Sequence, residues 1–101
     1  MDWDFFFRQL ESGMNINETC FYFKDDPEEK EHYLGYISEQ ERPYWVGYCD
    51  TDGGCDFKSA IELVNAPIFD GKTLKERWDK VIICSIEGCS LDDWMNSFHH
   101  I

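Results

Sequence analysis

Residues 18–49 read ETCFYFKDDPEEKEHYLGYISEQERPYWVGYC, and this stretch decides the fold class. Three aromatic-rich runs stand out within it: Glu18 to Lys24, His32 to Ile37 and Tyr44 to Cys49. Two polar, proline-containing connections separate them. Aromatic and β-branched side chains suit a pleated, half-buried surface, whereas clusters of Asp, Ser and Pro end strands. The pattern predicts a meander of three antiparallel strands. Asp25, Asp26, Glu28, Glu29 and Glu31 crowd the first connection, and Glu39 and Glu41 occupy the second. In an up-down-up meander these connections lie at opposite ends of the sheet, so the acids form a rim rather than one knot.

The second and third runs echo each other as Tyr33-Leu34-Gly35-Tyr36 and Tyr44-Trp45-Val46-Gly47-Tyr48. Glycine weakens a strand unless a bulge uses it or a neighbouring ring covers it. Rings on both sides predict ring-over-glycine packing here.

Outward from the meander the period changes. Asp2 can cap a helix whose Trp3, Phe6, Phe7 and Leu10 fall at the i, i+3, i+4, i+7 spacing of one face, with Ser12-Gly13 as its stop. Phe5 lies off that stripe and marks either a wider buried face or an exposed contact. Beyond the meander, Asp50-Thr51-Asp52-Gly53-Gly54 reads as a turn. Asp56 then caps a helix with Phe57, Ala60, Ile61 and Val64 inward, ended by Ala66-Pro67. Thr73 and Glu76 have capping-box spacing for a short helix carrying Leu74 and Trp78. Val81 to Ile86 is strand-like. Ser90 with Asp93 opens a last helix lined by Leu91, Trp94, Met95 and Phe98.

The order is therefore α-β-β-β-α-α-β-α. It predicts an α+β fold, a three-stranded antiparallel meander plus a fourth strand, packed with three to four short helices. The 101 residues, with no linker or low-complexity run, make a single compact acidic domain over 1–101. A 43% apolar content with 17% aromatics supplies a real core, which argues against disorder despite the charge.

Twenty-one acids against nine bases give a net charge of −12. Residues 1–56 carry −10 of it and residues 57–101 only −2. Direct binding to nucleic acid or an anionic membrane is disfavoured, and a basic protein is the natural complement. Solubility is the plainer explanation for such acidity. No apolar run approaches the roughly 20 residues of a membrane span. The start Met1-Asp2-Trp3-Asp4 lacks the cationic region of a secretory signal, so a cytoplasmic location is expected. Five cysteines, an odd number, fit reduced thiols there.

Catalytic and metal chemistries find little support. Cys49, Cys55, Cys84 and Cys89 form C-x5-C and C-x4-C pairs, looser than the C-x2-C of structural zinc. They converge only if the third and fourth strands are neighbours, and otherwise they are small core or turn residues. An EF-hand started at Asp50 would need Gly at its sixth position and Glu at its twelfth, where Cys55 and Ile61 stand. A Cys–His pair has only His32, His99 and His100 to draw on. The abundance of carboxylates makes any chosen acid–base pair uninformative. Gly71-Lys72-Thr73 stands outside any phosphate-loop motif.

What remains is acidity around a Tyr- and Trp-rich sheet. Tyr22, Tyr33, Tyr36, Tyr44, Trp45 and Tyr48 run between the acidic turns. Tyr and Trp anchor interfaces because each joins apolar area to a polar tip. The expectation is a non-enzymatic, cofactor-free binding protein that uses Asp25, Asp26, Glu28, Glu29, Glu31, Glu39 and Glu41 with Tyr33, Tyr36, Tyr44, Trp45 and Tyr48. The expected partner is a basic protein, most naturally the nucleic-acid groove of an enzyme. By size and charge alone, anti-CRISPR proteins, phage or mobile-element DNA mimics and nuclease immunity proteins are of this kind. The alternative is a small cysteine-dependent, zinc-stabilised regulatory or structural domain.

Overall fold

The computed structural model describes residues 1–13 and 16–97. Helix α1 (Trp3–Ser12) begins where Asp2 accepts the Phe5 N–H at 3.2 Å. It ends at Gly13, whose φ of 69° places it in the left-handed region that glycine enters without strain. Strands β1 (Thr19–Phe23), β2 (His32–Tyr36) and β3 (Tyr44–Gly47) follow as an antiparallel meander. A short β4 (Cys55–Phe57) adds to the outside of β3. Helix α2 (Ala60–Asn65), a 3-10 turn (Trp78–Lys80), β5 (Val81–Ile86) and helix α3 (Leu91–Asn96) complete the order. Strand β5 returns to pair with β1, which gives one five-stranded antiparallel sheet in the order β4-β3-β2-β1-β5. The α+β class holds.

Several expectations change. The sheet has five strands rather than four, because residues 55–57 pair with β3 instead of starting a helix. Phe57 therefore belongs to a strand, Ile61 is exposed rather than inward with Leu63 taking its place in the core, and Ser59 rather than Asp56 caps α2 by accepting the Glu62 N–H at 3.2 Å. The Thr73/Glu76 capping box forms, with both reciprocal bonds near 3 Å, yet it opens only turns and the 3-10 segment. One capping box cannot offset the nucleation cost of so short a helix. Phe98, His99 and His100 lie outside the described residues.

Strand alternation and register sort the sheet into two faces. On one face Thr19 pairs with Leu34 and Ile86, Leu34 with Val46, and Tyr36 with Tyr44. Phe6 and Leu10 of α1, Leu63 and Val64 of α2, and Trp94 of α3 pack there with Phe21, Phe23, Leu34, Val46, Phe69, Leu74 and Ile86 as one cluster. Phe5 joins it edge-on to Trp94, 6.0 Å between ring centres, so the off-stripe position marks a wider buried face. The shortest dimension, 22 Å, is the thickness of one sheet and one helix layer.

Candidate functional site

The other face of the sheet carries Cys20 and Tyr22 of β1, Tyr33 and Gly35 of β2, Trp45 and Gly47 of β3, and Ile82 of β5. No described helix covers it. This asymmetry divides the aromatic residues singled out by sequence. Tyr36 and Tyr44 point into the covered side. Tyr44 is only 7% exposed, its hydroxyl donates to the Glu11 carbonyl at 2.9 Å, and burial raises its pKa. Tyr36 packs beside it at 4.9 Å and against Gly13, so both rings lie on the core side of the sheet. Tyr33, Trp45 and Tyr48 lie on the uncovered side.

Together with Glu18, Glu31 and Gly47, these three rings line an open concavity of about 540 Å³. Trp45 covers Gly35 so closely that an added Cβ would sit 2.7 Å from its ring and 2.6 Å from Asn17 Oδ1. Ring-over-glycine packing is thus real at Gly35. At Gly47 the ring stays 3.9 Å away. The indole Nε1 of Trp45 is buried and has no hydrogen-bond partner among the described residues.

Tyr48 is the most conspicuous of the three. Its side chain is 74% exposed although its φ of 57° puts a bulky residue in the left-handed region. That conformation costs roughly 1–2 kcal/mol and persists where the surroundings hold it. Here the His32 Nδ1–H donates to the Tyr48 carbonyl, and the Tyr48 ring leans on Tyr33 at 5.7 Å. His32 is itself wedged among the rings of Phe21, Phe23 and Phe69. The core on one side of the sheet thus fixes a displayed ring on the other.

The acids divide in the same way. Asp25 pairs with Arg77 at 2.7 Å, and that guanidinium also lies 3.7 Å over the Phe23 ring and 3.3 Å from Asp70. The carboxylate of Asp26 accepts the N–H groups of Glu28 and Lys30, which lower its pKa. Both carboxylates hold the first connection in shape while remaining at the surface. Glu28, Glu29, Glu39 and Glu41 are exposed, with the second pair at the opposite end of the sheet. Asp50 accepts the N–H groups of Gly71 at 2.8 Å and Asp70 at 3.0 Å. It ties two turns together and does not open an oxygen-ligand loop.

The cysteines converge in a different combination from the one the spacing suggested. Cys49 and Cys55 are neighbours at the β3–β4 corner, but β4 and β5 are the two outer strands of the sheet. Cys84 therefore cannot meet them, because β1 and β2 intervene. Instead Cys84 approaches Cys20 and Glu31, and the three ligand atoms lie within 4.8 Å of one another. The Cys20 thiol donates to Glu31 Oε2 at 3.3 Å. Burial, and then this carboxylate, push its pKa up to about 12. Burial also raises Cys49 and Cys84. Thiols held neutral are poor nucleophiles, and among the described residues no cysteine is hydrogen-bonded to His32. Sequence reasoning passed over Cys20 and Glu18. The alternation of Phe21 and Phe23 against Cys20 and Tyr22 was the available signal, since it places Cys20 opposite the core.

Compared with known proteins, the chain matches no family model, no curated protein and no solved structure.

Proposed function

We propose that this protein is a stoichiometric binding protein whose uncovered sheet face docks on the basic surface of a partner that handles nucleic acid. One observation carries the reading. Tyr33, Trp45 and Tyr48 stand together on a face with no described helix over it, bordered by the carboxylates of Glu18 and Glu31, while the main hydrophobic cluster lies on the other side. Aromatic rings beside carboxylates suit a Lys or Arg side chain, which gains from the ring face and from the opposite charge. The acidity of residues 1–56 steers such a surface into place and speeds encounter at low salt. Exposed carboxylates at Glu28, Glu29, Glu39 and Glu41 then stand where phosphates would lie and block the groove by competition. By size and charge this reading groups the protein with DNA-mimic, anti-CRISPR and nuclease-immunity inhibitors.

The test is affinity capture of a basic nucleic-acid-binding protein, followed by titration of that purified partner with wild type and with the double variant Tyr48→Ala, Glu18→Lys. The expected result is binding that weakens steeply with salt, drops at least tenfold in the double variant and is displaced by the partner's own nucleic acid. Binding insensitive to both salt and the double substitution would overturn the proposal.

A further inference from the structure

Cys20, Glu31 and Cys84 come from three parts of the chain that only the sheet order brings together. Cys20 lies on β1, Glu31 stands immediately before β2, and Cys84 lies on β5, the strand on the other side of β1. A bulge completes the convergence. Register runs from Phe21 opposite Ile83 to Cys20 opposite Ser85, so Cys84 is the extra residue of β5. An unpaired bulge residue escapes strict alternation and can be re-aimed. Here the irregularity accompanies the approach of the Cys84 sulfur to Cys20 and Glu31.

We propose that these three side chains bind a zinc ion. Two sulfurs and one carboxylate oxygen form a donor set for a borderline-soft cation, whereas calcium and magnesium require oxygen throughout. Zinc–sulfur bonds of about 2.3 Å and zinc–oxygen bonds of about 2.0–2.2 Å set tetrahedral edges of roughly 3.5–3.8 Å. The Cys20–Glu31 pair, at 3.3 Å, already approaches that edge. The whole triad, within 4.8 Å, needs a contraction of about 1.0–1.3 Å at most. Cys84 is at the surface, so side-chain rotation can close the gap without disturbing the core. The Tyr33 hydroxyl interacts with the Cys20 thiol and flanks the site, while the fourth position stays open to water. Glu31 and Tyr33 also line the docking concavity, but zinc uptake is read on the protein alone with no partner present, so failure of this site and failure of the docking reading are distinguishable.

The experiment uses the full chain in a metal-free reducing buffer, with zinc or cobalt(II) as the probe. Native mass spectrometry should show one zinc per chain, and cobalt should give the near-ultraviolet thiolate charge-transfer band with visible bands of a tetrahedral ion. Cys84→Ser should weaken zinc at least 100-fold and abolish the charge-transfer intensity of one thiolate. Glu31→Gln should weaken it at least tenfold, on the scale by which even outer groups tune metal affinity. Cys49→Ser and Cys89→Ser should leave it unchanged. Circular dichroism checks that each variant is folded, and Glu31→Gln alone decides the matter if Cys84→Ser does not fold. Failure of the wild type to retain zinc, uptake indifferent to Cys84→Ser and Glu31→Gln, or loss on Cys49→Ser would each overturn the site.

Discussion

The two faces of one sheet are built from the same kinds of residue and meet opposite surroundings. On the covered face, Phe21, Phe23, Leu34, Val46 and Ile86 meet three helices and are nearly inaccessible. On the uncovered face, Tyr33, Trp45 and Tyr48 border a shallow concavity beside Glu18 and Glu31. Aromatic content alone, then, does not identify a binding surface. Tyr36 and Tyr33 are three residues apart on one strand, yet the first packs over a helix stop and the second faces out.

Truncating one ring on each side puts this contrast under the greatest strain. Phe21→Ala removes a ring packed edge-on to Phe23 and Phe69, and should cost about 3–5 kcal/mol in urea unfolding. Tyr48→Gly should shift the same measurement by less than about 1 kcal/mol, because glycine relieves the positive φ and only an exposed ring is lost. Equal losses at both positions would mean that the uncovered face is part of the core.

A smaller effect tests the one place where the uncovered face is tightly packed. Gly35→Ala should destabilise by about 1–3 kcal/mol, since its Cβ would press on Trp45 and Asn17. Adding Trp45→Ala should recover part of that loss, a non-additivity measured by a double-mutant cycle. Purely additive losses would show that the ring over Gly35 is not the constraint.

The weakest effect is electrostatic and lies at the rim shared by both faces. Gly71 and Asp70 N–H groups hold the Asp50 carboxyl below its ordinary value of 3.8. A carboxyl whose pKa is depressed on folding contributes stability above its unfolded value, and loses it as pH falls through the lower folded value. Wild-type stability should therefore decline below about pH 4, and Asp50→Asn should decline less over that range. The site is exposed, so solvent keeps the difference modest. Parallel pH profiles by chemical denaturation would refute the contribution of Asp50.

Local chemistry was legible from the chain. The Asp2 cap, the Gly13 stop, the three meander strands, β5 and the Ser90 cap follow from residue type and spacing within a few positions, because hydrogen bonds close to home determine them. The exceptions share a cause. Residues 55–57 became a strand because β3 offered an unpaired edge, and the Thr73 box stayed a turn because its segment was too short to propagate. Neither fact is local.

The candidate site was only half legible for the same reason. Composition marked an acidic, aromatic meander, and Tyr33, Trp45 and Tyr48 with Glu31 do gather on it. Composition could not assign Asp25 to Arg77, which is 52 residues away, or move Tyr36 and Tyr44 to the covered face. Nor could spacing pair Cys20 with Cys84, since that contact needs β5 to return beside β1 with a bulge between them. Residue order thus dictates most strands, the caps and the charge, because period and propensity act over one or two turns of chain. Which face stays open, and which thiols and carboxylates meet, is settled by tertiary packing, because strand order and register act between residues far apart in sequence.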